Sequence, residues 1–215
     1  MCGRFALATE KHILEMLFDL ELRGALEPRF NIAPSEDILA VRLAAGGERV
    51  ISRLKWGLVP YWAKEPRMGY KLINARAETA DRKPAFRDAF RRRRALIPAS
   101  GFYEWKKSER GRQPYYIRMK DKRPFALGAL WERWAQVDPP LESCTILTVP
   151  ANGLVAPLHE RMPVIIPPDA YELWLSRDSE AADLKPLLQP YPAEIMEAVP
   201  LPANIFKTGR YGDYL

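Results

Sequence analysis

Cysteine and histidine are scarce in this 215-residue chain, which has two of each: Cys2 and Cys144, His12 and His159. Two cysteines cannot build a disulfide framework, and so few soft ligands leave no zinc cluster, so no metal or other cofactor is expected. Long apolar runs are missing as well. Arg4, Glu10 and Lys11 interrupt the start before a secretory segment can form, and no stretch reaches the about 18–20 apolar residues of a membrane span. The Met1-Cys2 start lacks the glycine that myristoylation needs, and Gly212 to Leu215 is no prenylation box. Repeats, low-complexity tracts and linkers are also absent. These absences predict a soluble, untargeted, cytoplasmic chain, nucleoid-associated in a bacterium, with no membrane partner.

A hydrophobic content of 47% suffices for one sizeable core, so a single domain over residues 1–215, acting as a monomer, is expected. Lysine and arginine number 33 against 27 acidic residues, giving a net charge of +6 and an isoelectric point near 9.3. That balance favours a polyanionic partner, with nucleic acid foremost.

Apolar spacing predicts an amphipathic helix from Glu10 to Leu22, with Thr9 as N-cap and Gly24 ending it. A hairpin is predicted from Ile38–Val41 and Val50–Trp56, joined through Gly46-Gly47. Further β segments are predicted at Ala95–Pro98, Phe102–Trp105, Tyr115–Met119, Phe125–Trp131, Cys144–Val149 and Pro163–Ile166. Helical pattern returns at Pro84–Arg93, Asp169–Leu175 and Ala181–Leu188. Twenty prolines keep the elements short. The fold class this implies is α+β, with a curved, mainly antiparallel sheet or open barrel and peripheral helices.

The second residue carries the most distinctive chemistry. Removal of Met1 would leave Cys2 with a free α-amine beside its thiol. Those groups titrate near pH 8 and 8.5 respectively, so useful fractions of both nucleophiles exist at neutral pH. An aldehyde is the matching electrophile: the amine condenses to an imine, the sulfur closes onto the imine carbon, and a thiazolidine forms.

Several clusters combine turn formers with ionisable or amide side chains: Cys2-Gly3-Arg4-Phe5, Arg29-Phe30-Asn31-Ile32-Ala33-Pro34, Trp56-Gly57-Leu58-Val59-Pro60-Tyr61-Trp62 and Ile73-Asn74-Ala75-Arg76-Ala77-Glu78-Thr79. Gly101-Phe102-Tyr103-Glu104-Trp105 and His159-Glu160-Arg161-Met162-Pro163 add two acid–base candidates. Taken singly, Glu104 reads first as a strand-face carboxylate paired with Lys106 or Lys107 and Asn74 as a turn residue, while His159 reads equally as a surface-loop histidine. His12 reads as a surface histidine on the first helix.

In that order, the six clusters resemble the SOS-response-associated peptidase domain of the abasic-site processing proteins, over almost the whole chain from Cys2 to about Phe206. The resemblance implies a sensor of abasic sites in single-stranded DNA that crosslinks itself to the ring-opened deoxyribose. Strand–duplex junctions are included among its targets. It implies Cys2 as nucleophile, Asn74 as the amide that positions amine and sugar, and Glu104 and His159 as acid–base groups that open the sugar and expel water.

Arg4 and Arg76, beside the reacting residues, are expected to contact phosphate, with Arg161 a third candidate. Phe30, Pro34 and Trp62 are expected to stack or wedge against bases. Many members of the family carry two adjacent tryptophans where this chain has Tyr61-Trp62-Ala63. The run Arg91–Arg94 reads equally as an extension of the basic surface and as a solvated face.

Two other readings fit the same residues. One is a thiol peptidase, acting on itself at Met1, with Cys2, Asn74, Glu104 and His159 as its site. The other is a single-strand binding module without chemistry. β-Elimination at the abasic sugar is a possible side activity of the imine.

Overall fold

A computed structural model describes residues 2–108 and 111–214. Among the described residues thirteen strands form two sheets. In chain order the elements are β1 (Phe5–Leu7), α1 (Lys11–Phe18), β2 (Arg29–Ile32), β3 (Asp37–Leu43), β4 (Arg49–Trp56), β5 (Asn74–Arg76), α2 (Ala77–Ala80) and α3 (Arg87–Arg92). They continue with β6 (Arg94–Ala99), β7 (Gly101–Ser108), β8 (Gly111–Met119), β9 (Phe125–Trp134), β10 (Leu141–Pro150), β11 (Arg161–Pro163) and β12 (Ile165–Ile166). The last are α4 (Tyr171–Leu175), α5 (Ala181–Leu184), β13 (Met196–Pro200) and α6 (Ile205–Thr208).

The larger sheet closes on itself. β10 pairs with β4, β4 with β3, β3 with β6, β6 with β9, and β9 again with β10, making a five-stranded barrel. Closure leaves these strands no free edge. All pairings in the ring are antiparallel except β4–β10. β6 is buried along its whole length, which explains its near-continuous apolar run. The second sheet has the order β13-β8-β7-β1-β2. The α+β class with a mainly antiparallel barrel and peripheral helices is thus the observed architecture.

The β3–β4 hairpin runs in register from Asp37 opposite Lys55 to Leu43 opposite Arg49, and its turn includes Gly47 at a φ of +90°. The first helix is shorter than its apolar spacing predicts. It begins with Glu10, not Thr9, at the N-cap, and stops at Phe18 because Asp19 takes a left-handed conformation. Leu22 still reaches the core, but as coil, its N–H received by the Glu15 carboxylate at 2.9 Å. The apolar pattern therefore outlasts the helix. Residues predicted helical from Pro84 likewise form turns until Arg87, the Lys83 carbonyl accepting from both Phe86 and Arg87. The segment predicted as Pro163–Ile166 is two strands, β11 and β12, interrupted at Val164. Among the described residues no helix is long and apolar enough to cross a membrane.

Candidate functional site

The two sheets meet at the amino terminus. β1 lies between β2 and β7, with Phe5 opposite both Ile32 and Phe102. The Tyr103 N–H donates to the Arg4 carbonyl at 3.0 Å, which carries the pairing beyond β1 toward Cys2. From the barrel side, β5 runs parallel to β10, with Asn74 opposite Ile146 and Arg76 opposite Thr148. The Asn74 side chain crosses between the sheets: its Nδ2 donates to the Cys2 carbonyl at 2.9 Å. Its Oδ1 is buried and has no hydrogen-bond partner among the described residues. Met1 lies outside those residues.

Cys2 is fully buried, its Sγ 3.9 Å from the Arg4 carbonyl. Burial, followed by the nearby Glu104 carboxylate, pushes the thiol well above its ordinary pKa, so the sulfur is held as a thiol. Glu104, on β7, is itself buried, and that burial pushes its carboxyl up to about 7. A carboxylic acid in that range is poised to give and take a proton at neutral pH. The alternative of an exposed strand-face carboxylate does not hold for Glu104.

His159 closes the segment between β10 and β11. The side chain of Asn152 organises this loop, its Oδ1 receiving the N–H groups of Leu154 and Val155 and its Nδ2 donating to the Tyr191 carbonyl. The Ala151 N–H donates to the Glu160 carbonyl across the loop base. The Arg161 N–H donates to His159 Nδ1 at 2.9 Å and the Arg161 carbonyl lies 3.2 Å from the same nitrogen, so the Arg161 backbone fixes the ring's orientation. His159 is thus brought by β11 to the same end of β10 that carries β5 and Asn74.

The predicted phosphate contacts differ in setting. Arg76 is exposed at the end of β5. Arg4 is half-buried, its Nη1 donating to Asn31 Oδ1 at 2.6 Å. Arg161 is only 8% exposed. It forms a two-pronged pair with Glu78 at 2.8 and 2.9 Å, and it also donates to the Thr148 hydroxyl and carbonyl. Four of its five guanidinium hydrogens are thereby used by partners among the described residues.

The predicted stacking residues also divide. Phe30 is not a free platform: its ring stacks on Tyr211 at 5.8 Å and 8°. Pro34 is half-buried in the turn between β2 and β3, which is tied to Trp56 by the Ser35 N–H. Trp62 is 45% exposed on the loop between β4 and β5, beside exposed Tyr61, while Ala63 is buried. The same loop exposes Tyr70 at 67%, among Lys64, Arg67 and Lys71, and this aromatic was not singled out by the sequence. Its signal was there, aromatics interleaved with cations, hidden by Met68 and Gly69.

The two stems of the loop cross where Gly57 and Gly69 touch. A Cβ on Gly69 would stand 2.5 Å from the Gly57 carbonyl oxygen, and Gly57 has a φ of +136°. A cavity of about 310 Å³ there includes Ser35, Gly57, Gly69 and Tyr70 in its wall, so the turn after Pro34 adjoins the aromatic loop. A cavity of about 650 Å³ is walled by residues 21–27 and includes none of Cys2, Asn74, Glu104 or His159.

The run Arg91–Arg94 splits in two. Arg91 and Arg92 are exposed, whereas Arg93 pairs with Glu132 at 2.8 Å and Arg94 is buried, donating to carbonyls at the ends of α3 and α4. Cys144 is a buried free thiol in β10, and His12 is exposed beside Glu10. Among the described residues no group of three or more His, Cys, Asp or Glu side chains is arranged to hold a metal ion.

Residues 1–208 match the family profile described as SOS response associated peptidase (SRAP). The chain is 41% identical over 204 residues to the abasic site processing protein YoaM of Bacillus subtilis, covering 92% of this chain and 89% of that protein. It is 29% identical over 213 residues to the abasic site processing protein YedK of Escherichia coli, covering 96% and 90%. A crystal structure of a protein from Bacteroides thetaiotaomicron shares the fold with a TM-score of 0.85 at 23% identity, covering 96% of this chain and 94% of that one. Another, from Bordetella bronchiseptica, has a TM-score of 0.80 at 26% identity, covering 94% and 100%.

Proposed function

Because this chain belongs to the SOS response associated peptidase (SRAP) family, we propose that it processes abasic sites in DNA, by capturing the lesion covalently through Cys2 once Met1 is removed. The observation that carries this reading is the convergence of two side chains on one buried residue. The Asn74 amide donates to the Cys2 carbonyl from one sheet, and the buried Glu104 carboxyl on the other lies near the Cys2 thiol.

The chemistry follows from those positions. An abasic deoxyribose must open before it offers a carbonyl, and His159 is the group to move a proton to the ring oxygen. The Cys2 amine then adds to C1′, and the protonated Glu104 carboxyl assists departure of the carbinolamine oxygen as water. The Cys2 sulfur, held as a thiol until this point, gives up its proton and adds to the imine carbon. The product is a thiazolidine, formed from aldehyde and aminothiol with loss of one water. Consuming the imine also removes the species from which the 3′ phosphate would be eliminated, shielding the strand from cleavage.

A buried, protonated thiol suits a second nucleophile that follows the amine better than it suits a peptidase whose thiolate attacks alone. Exposed Trp62 and Tyr70 and the cations near them favour a single strand, or the end of a duplex, whose bases can stack on the loop.

The test is intact mass and denaturing electrophoresis after mixing Met1-free protein with single-stranded DNA carrying one abasic site. The expected product is a conjugate stable to detergent, with the mass of protein plus DNA minus one water. Cys2→Ala and a chain with a blocked amine should give none. Free protein beside abasic DNA, or equal conjugation by the amine-blocked chain, would overturn the reading.

A further inference from the structure

Arg4 carries a guanidinium on the strand that leads to the reacting residue, and a long side chain in such a place needs something to fix it. Its backbone is already fixed, the carbonyl accepting from the Tyr103 N–H. Phe5 and Ile32 are paired and buried, and the residue before each, Arg4 and Asn31, flanks that pair beside a register shift between β1 and β2. There they meet: Arg4 Nη1 donates to Asn31 Oδ1 at 2.6 Å. The Phe206 ring lies with its centroid 5.8 Å from Arg4 Cζ, within cation–π range.

Phe206 is held in turn. Its ring contacts Tyr103 at 5.1 Å, Trp105 at 5.4 Å and Tyr211 at 6.0 Å, and Tyr211 stacks on Phe30 from β2. The segment containing α6 is therefore fastened by rings to β2 and β7, and the guanidinium occupies the space between that segment and Asn31. The chemistry of the partners matters. An amide oxygen and a ring face orient a guanidinium without cancelling its charge, whereas a carboxylate would compete with any anion that approached.

We infer that Asn31 and Phe206 are positioning residues for Arg4, presenting its guanidinium with its charge intact to a phosphate beside the abasic sugar, so that the carboxy-terminal segment is part of the DNA site. This rests on the proposed DNA function and on Arg4 as a phosphate contact.

The test is a double-mutant cycle read by binding, using a single-stranded oligonucleotide with a tetrahydrofuran abasic analogue, which has no aldehyde and cannot be captured. Dissociation constants are measured across a salt series for wild type, Arg4→Ala, Asn31→Ala, Asn31→Asp, Phe206→Leu and Arg4→Ala combined with Asn31→Ala. Removing Arg4 should weaken binding about tenfold and lower the salt slope by about 0.7, the value for one phosphate contact on a single strand. Asn31→Ala should weaken binding about threefold to tenfold with Arg4 present and leave it unchanged with Arg4 absent. Asn31→Asp should weaken it further, and Phe206→Leu should act in the same direction as Asn31→Ala.

An Asn31→Ala effect of equal size in both backgrounds would overturn the inference while leaving Arg4 as a contact. Wild-type affinity in Asn31→Asp would do the same. An unchanged slope in Arg4→Ala would remove Arg4 from the DNA site and the inference with it. None of these results bears on covalent capture, which the natural abasic strand reports separately.

Discussion

The Asn74 amide nitrogen stands 2.9 Å from the Cys2 carbonyl, and the other end of the same amide is buried without a partner among the described residues. One end thus fixes the Cys2 backbone, and under the proposed chemistry the other would receive the substrate or the amine. Asn74→Ala should slow adduct formation about tenfold under single-turnover conditions, the cost of one hydrogen bond near 1.4 kcal/mol. Asn74→Asp should be slower still, because it sets an acceptor against the Cys2 carbonyl. A wild-type rate in either variant would show that the amide does not take part.

Burial pushes Glu104 up to about 7 from an ordinary 4.5, and this has two measurable consequences. Its acid form is the active one in the proposed dehydration, so the crosslinking rate should carry a limb that falls as pH rises through about 7, and Glu104→Gln should lose that limb. The folded protein also keeps this proton at pH values where the unfolded chain has lost it. The stability contributed by Glu104 is therefore full below about pH 4.5 and is lost as pH rises through about 7. Denaturant melts from pH 4 to 8 should show a steeper decline for wild type than for Glu104→Gln.

Arg161 and Glu78 form a pair in which the arginine is buried and the glutamate is half-exposed. Glu78→Ala leaves two guanidinium hydrogens without acceptors and should cost about 1–3 kcal/mol of stability, read as a lower denaturant midpoint. Arg161→Lys in an otherwise wild-type chain should also lower the midpoint, because an ammonium cannot make the two-pronged contact with Glu78.

Trp62→Ala and Tyr70→Ala should each weaken binding to single-stranded DNA by about 1–3 kcal/mol, the usual contribution of a base stacked on an aromatic ring. Gly69→Ala should weaken it without touching a ring, because its Cβ would collide with the Gly57 carbonyl and move the loop. Fluorescence anisotropy with an undamaged oligonucleotide measures all three. Unchanged affinity in Trp62→Ala and Tyr70→Ala would remove the loop from the DNA path.

The longer strands were legible because a strand of six or more residues repeats its burial pattern often enough to be seen. The β3–β4 hairpin was read with its turn, and β6 to β10 were each found within a few residues. The strands that build the site were not. β1, β2 and β5 have three or four residues each and lie inside the glycine- and amide-containing clusters that read as turns. Their conformation is imposed by partners distant in sequence, such as Phe102 for Phe5 and Ile146 for Asn74. Local propensity contains no trace of such pairing.

The residues for chemistry were better marked than their supports. Cys2 stood out by its own chemistry, and Asn74 and Glu104 through the family resemblance, and the structure places both beside Cys2. Asn31 and Glu78 lay inside the same clusters without an assigned role, because what each does depends on an arginine at least 27 residues away. Phe30 shows the converse. An aromatic beside cations looks like a DNA platform, yet Tyr211, at the far end of the chain, already covers its face.

β1 is hydrogen-bonded on both flanks, to β2 and to β7, and Cys2, the proposed point of attachment, precedes it by three residues. A polymer attached there and tugged by passing machinery would load this strand lengthwise, so its rungs on both sides must shear together instead of unzipping one by one. The anchorage then withstands force through the unfolding barrier of the sheet, and the conjugate lasts as long under tension as that barrier allows.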